Sequence, residues 1–170
     1  MISLLKKFKL DDGKWWKCPL ILFLNFFALM FALHPFMSTL TLTNIVFVDM
    51  LINTAMVFIV VYLANALCLS TLNVELDTMI EIKHFFSVKY LIAIPFLLAF
   101  GVVGFLSYIS PISFLVFGVI SFVIVVMFSQ IGAVKYFESY YPQEGKRFRK
   151  IMTVYASVYL TIIFVLYAIL

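Results

Sequence analysis

Residues 45–69 read IVFVDMLINTAMVFIVVYLANALCL, with Asp49 as the one charged side chain among 25 residues. A helix rises about 1.5 Å per residue, and about 20 apolar residues cross a hydrocarbon core of about 30 Å. The stretch is long enough to do so. Its few polar members, Asp49, Asn53, Thr54 and Asn65, do not alternate with apolar neighbours. That absence of period-two patterning argues against a membrane β-strand. A lipid-embedded backbone must then satisfy its own hydrogen bonds, which leaves a helix.

Four further runs share this character, at 19–36, 90–108, 112–134 and 151–170. The expected fold is therefore all-α: an integral membrane bundle of five transmembrane helices spanning 19–170, preceded by a basic amphipathic segment over 1–18. The whole chain is 65% hydrophobic and 12% charged over 170 residues, with a mean hydropathy of +1.16. A soluble domain is about 45–50% apolar and about 25% charged. A soluble chain of this length buries only about 70% of its surface on folding, so it could not hide this much apolar area.

The twelve Lys and Arg residues sort to one side. Lys6, Lys7, Lys9, Lys14 and Lys17 precede the first run, Lys83 and Lys89 lie between the second and third, and Lys135, Lys146, Arg147, Arg149 and Lys150 lie between the fourth and fifth. The connections 37–44 and 109–111 carry none. The positive-inside rule then sets the N-terminus in the cytoplasm and the C-terminus outside. The net charge of +4 is accounted for by these flanks, so nucleic acid is not an expected partner. Ile2, Leu4, Leu5 and Phe8 interleave with Lys6, Lys7 and Lys9, as in a helix lying on an anionic leaflet. Trp15 and Trp16 follow as interfacial anchors. The bulky first run, with no small-x-small site after it, does not read as a cleaved signal.

The connection after the second run carries Thr78-Met79-Ile80-Glu81, the spacing of a capping box. It predicts a helix that starts there, follows the inner surface through Phe85 and Phe86, and leads into the third run. Pro95 should kink that run. Small residues predict close helix packing: Gly101 and Gly104 in the third run, Gly118, Ser121, Ser129 and Gly132 in the fourth, and Thr153, Ser157 and Thr161 at a spacing of four in the fifth.

Asp49 and Asn53 are four residues apart and share one helix face. Two readings stand side by side. They could form an outer-leaflet polar site with His34, as in a transporter or channel component; or Asp49 could simply reach the nearby interface, with His34 at a helix end. Lys146, Arg147, Arg149 and Lys150 form an inner basic patch, either a stop-transfer anchor or a site for anionic lipid or an acidic partner. Asn25, Asn65 and Gln130 could line a pathway, or form hydrogen bonds between helices. No GxSxG, HExxH or GxxxxGK motif occurs, and Cys18 and Cys68 form no Cys/His cluster. The sequence therefore gives no reason to expect catalysis, a metal or another cofactor. No internal repeat is visible, which weighs against an inverted-repeat transporter within one chain.

Phe85-Phe86-Ser87-Val88-Lys89-Tyr90, then Pro95, then the turn Tyr108-Ile109-Ser110-Pro111 resemble the Yip1-domain family of five-span membrane proteins. The resemblance covers roughly residues 75–170. It implies a multispan protein without known catalysis, whose eukaryotic relatives bind prenylated small GTPases in vesicle traffic. It carries over no functional residue. Together these readings predict a small multi-pass membrane protein, of a bacterial inner membrane by preference. It would act through intramembrane contact with lipid and with a protein partner or a second copy, as a scaffold, assembly factor or accessory subunit.

Overall fold

In the computed structural model, the described residues are 16–37, 45–76, 80–107 and 114–169. The N-terminal surface segment, the Thr78 cap and the turn 108–111 lie outside them. Among these residues five α-helices follow one another: α1 (Lys17–Met37), α2 (Val46–Glu75), α3 (Ile82–Ser107), α4 (Phe114–Glu138) and α5 (Gly145–Ile169). A single 3-10 turn, Pro142–Glu144, precedes α5. No strand occurs among the described residues.

Among the described residues, three helices are long and apolar enough to cross a membrane: α1 over Lys17–Pro35, α2 over Val46–Glu75 and α3 over Ile82–Phe105. Their outer faces show why. Phe23, Phe27, Ile59, Leu63, Leu67 and Val102 are all exposed, while the opposite faces are buried. A helix apolar on every side has no solvated face to offer water and belongs in lipid.

The helices close into a ring. α1 packs on α3 and on α2, α3 on α4, α4 on α5, and α5 returns to α2. The α1–α3 contact is the most extensive. It is close because Gly101 has no Cβ: one placed there would stand 2.4 Å from a ring carbon of Phe31. Gly104, Ser129 and Gly132 are buried too, so these small residues face neighbouring helices. Gly118 and Ser121 fall outside the described side chains.

Two elements depart from the sequence expectation. The third helix does not run along the surface before entering the bundle. It begins at Ile82 and continues unbroken to Ser107, through Pro95. Phe85 and Phe86 are 0% and 2% exposed, because each has an aromatic partner inside: Phe85 stacks on Phe137 at 5.5 Å and Phe86 on Tyr62 at 4.6 Å. The second helix overruns its apolar stretch and ends at Glu75. Its polar last turns are held by tertiary bonds. Thr71 donates to Leu67 O at 3.0 Å, so the Tyr155 hydroxyl, 2.6 Å away on α5, donates to Thr71. Asn73 then ties down the connection with a two-way amide clamp, Asn73 Nδ2 to Ile80 O at 3.2 Å and Ile80 N to Asn73 Oδ1 at 3.0 Å.

Candidate functional site

The polar interior centres on Lys89. α3 turns this residue into the ring, where it is 5% exposed. The sequence had counted it among the cytoplasmic flanking charges. Lys89 Nζ donates to Asn65 Oδ1 of α2 and sits over the Phe85 ring, 5.5 Å from its centroid. The ring face attracts the ammonium, more strongly where water is excluded. No carboxylate among the described residues pairs with Lys89. Its charge is met by one amide oxygen and one aromatic face, which is little compensation for losing water.

Asn65 links this lysine to the rest of the interior. Its Nδ2 donates to Tyr90 Oη at 3.4 Å. Pro95 has no N–H to offer the carbonyl of Leu91. One residue earlier the backbone accepts a side-chain donor: Asn25 Nδ2 of α1 donates to Tyr90 O at 3.1 Å. Asn25 and Asn65 are 3% and 1% exposed. Three helices are thus bonded through two asparagines, a lysine and a tyrosine. Phe58 and Phe86 flank Tyr90, at 5.8 Å and 5.6 Å. Aromatic rings thus pack against this hydrogen-bonded network.

Toward the far end of α2, Asp49, Asn53 and Thr54 are buried at 2%, 3% and 0% exposure. Asp49 therefore points into the bundle even though it lies in the first turn of its helix. His34 is turned toward α3, where its ring stacks on Phe105 at 5.4 Å. Asn53 Nδ2, Thr54 Oγ1 and His34 Nδ1 are buried without a hydrogen-bond partner among the described residues.

The basic patch spans the first turns of α5. Phe148 is fully buried and anchors it, while Lys146, Arg147, Arg149 and Lys150 stay exposed. Two of the four are paired. Arg149 Nη2 reaches Glu138 Oε1 at 2.8 Å, and Arg147 Nη1 lies 3.7 Å from Glu144. Between α4 and α5 runs a groove of about 260 Å³, lined by Gln130, Ile131, Val134, Lys135 and Glu138 on one side and by Arg149 and Thr153 on the other. The sequence did not suggest it. A spacing of four shows which residues share a face of one helix, but not which face of another helix lies opposite.

No group of three or more His, Cys, Asp or Glu side chains gathers among the described residues. Cys18 and Cys68 are free thiols. Compared with protein-family models, with curated proteins and with solved structures, the chain matches none.

Proposed function

We propose that the chain is a five-span membrane protein that acts by contact within the bilayer, as a scaffold, assembly factor or accessory subunit. The flanking charges support a cytoplasmic N-terminus and an outside C-terminus, and a bacterial inner membrane suits the cytoplasmic basic segments. The resemblance to Yip1-domain proteins adds a trafficking role as a further proposal.

One observation carries the interaction reading. On α5 the residues Phe148, Met152 and Ala156 face inward and are buried. Thr153, Ser157 and Thr161 face outward and are exposed. Each of these hydroxyls donates to the carbonyl one turn back: Thr153 to Arg149 O at 2.8 Å, Ser157 to Thr153 O at 3.0 Å and Thr161 to Ser157 O at 2.9 Å. The stripe is small, smooth and internally satisfied, so it can lie in hydrocarbon. Where the other helices present Phe, Leu and Ile to lipid, α5 offers a face that lets a helix approach closely.

The test is cysteine crosslinking in native membranes. Cys18 and Cys68 are first replaced by serine. Ser157→Cys should then form an adduct with a partner or a second copy, while Leu67→Cys on the lipid-facing side of α2 should not. Failure of Ser157→Cys to crosslink, together with a lone chain in native mass spectrometry after gentle extraction, would overturn the reading.

Burial of Asp49 and Asn53 favours one rival, a transporter or channel component using a polar site there. Asp49→Asn separates the two. A transporter loses flux, whereas a scaffold keeps its partner.

A further inference from the structure

We propose that the α4–α5 groove at the charged end of the bundle holds the phosphate headgroup of an anionic glycerophospholipid. The groove is polar at one end and apolar along its wall, as an amphiphile requires. Gln130 and Val134 form its deep side, 7% and 6% exposed. Lys135 and Arg149 stand at the rim, both exposed. No carboxylate among the described residues pairs with Lys135. Arg149 shares its charge with Glu138, which also lines the groove.

Two cations and one carboxylate leave a net charge of plus one, matching the single negative charge of a phosphodiester. A zwitterionic headgroup would bring a second cation against Lys135 and Arg149 and so bind less well. The wall continues away from the rim as exposed apolar surface. On α4 this comprises Ile131, Phe128, Met127 and Ile124, and on α5 Val154 and Val158. Acyl chains can lie along it. Thr153, one turn beyond Arg149, lines the groove with its hydroxyl proton held by Arg149 O at 2.8 Å.

This site rests on the membrane-embedded reading of the bundle, not on a protein partner. A lone chain that carries lipid, with no crosslink from Ser157→Cys, would sink the interaction proposal and leave this one standing. The experiment uses the full chain purified in mild non-ionic detergent. Phosphatidylglycerol and phosphatidylcholine with matched acyl chains are added in equal amounts, and retention is read by native mass spectrometry. The wild type should retain the anionic lipid preferentially. A cation near an anionic headgroup contributes about a fivefold preference, so Lys135→Gln and Arg149→Gln should each lower it about fivefold, and the pair should abolish it. Lys146→Gln with Lys150→Gln, outside the groove, should leave it unchanged. Glu138→Gln, which raises the groove to plus two, should increase it.

No preference in the wild type would overturn the proposal. So would an equal loss in the Lys146 and Lys150 variants, which would indicate a diffuse basic surface, or a loss in Glu138→Gln. Full competition by equimolar glycerol phosphate would assign the groove to a free phosphate ester and overturn the lipid assignment.

Discussion

The two ends of the helix bundle are built on different principles. At the charged end the interior is made of large side chains. Leu72, Phe85, Tyr136, Phe137, Phe148 and Met152 are each under 2% exposed, and Phe137 stacks between Phe85 at 5.5 Å and Phe148 at 5.4 Å. Toward the other end Ala28, Ala32, Val57 and Gly101 are interleaved with Leu29, Leu33, Leu97 and Phe100, with Asp49, Asn53 and Thr54 turned inward. Wide rings fill the space between the helices where the connections are polar. Small residues draw them together where α1 meets α3. The buried lysine belongs to the aromatic half, where ring faces supply part of its compensation.

The largest expected effect breaks that compensation. Asn65→Leu removes the one hydrogen-bond acceptor of the Lys89 ammonium. A hydrogen bond to a charged group contributes about 1.5–3 kcal/mol, and leaving a buried charge unmet costs at least as much. Lys89→Met keeps the length of the side chain and removes the charge, so it should be neutral or stabilising. The double variant should recover most of the loss. Unfolding in detergent by a thermal or denaturant series measures all three. Equal destabilisation by Asn65→Leu with and without Lys89→Met would show that the lysine is not the group Asn65 serves.

Next in size is the aromatic core itself. Phe→Ala in a soluble core costs about 3–5 kcal/mol. Here the reference state is a helix dispersed in lipid, which is as apolar as the core, so the transfer part drops out and packing remains. Phe137→Ala should therefore cost about 2 kcal/mol, and Val57→Ala in the small-residue half less than about 1 kcal/mol. The ratio of the two losses is the quantity to measure. A ratio near one would mean the two halves are not differently built.

Gly101→Val tests the opposite half by addition rather than removal. The new Cβ meets the Phe31 ring and stands 3.2 Å from a backbone oxygen of the same residue, and the two methyl groups crowd the site further. The ring can swing toward lipid, but the carbonyl cannot. Overpacking of this kind costs about 1–3 kcal/mol, and we expect the lower half of that range because Phe31 is partly exposed. Gly101→Ala should cost less. A distance measurement between spin labels on α1 and α3 should lengthen in the valine variant. If stability falls without separation of the helices, the close approach is not what Gly101 provides.

These contrasts also mark what could be read from the chain. That 45–69 is a helix suited to lipid followed from length and hydropathy, because both are properties of one segment. The burial of Lys89 did not. Beside Ile82, Lys83 and His84 it looks like another interfacial cation, and only Asn65, 24 residues earlier on a different helix, gives it a place inside. Phe85 and Phe86 were read as a surface pair for the same reason, since their partners Phe137 and Tyr62 lie on α4 and α2. In α5, two period-four series run side by side, Phe148-Met152-Ala156 and Arg149-Thr153-Ser157-Thr161. Their spacing is legible, but which one faces inward depends on where α2 and α4 stand. Asp49 and Asn53 were placed on one face in the sequence, and both are buried. His34 was read either as their partner or as a helix-end residue, and its ring stacks on Phe105 at 5.4 Å.

The smallest expected effect lies at the rim of the charged end. Arg149 and Glu138 form the shortest ion pair among the described residues, 2.8 Å. The arginine side chain is 66% exposed and the carboxylate 22%, so water and salt screen much of their attraction. Exposed pairs of this kind contribute about 0–1 kcal/mol, and Arg149→Gln should shift stability by less than about 0.5 kcal/mol. Salt should erase even that, since charges in solvent are screened over about 10 Å at 0.1 M. The same substitution should still lower retention of anionic lipid, because the headgroup meets Arg149 in a groove walled by Ile131 and Val134. Separating the two measurements sharpens the comparison between the ends. A near-silent stability change with a clear lipid effect makes the charged rim a binding surface laid over an aromatic core. A large stability change with no lipid effect would instead make the pair part of that core.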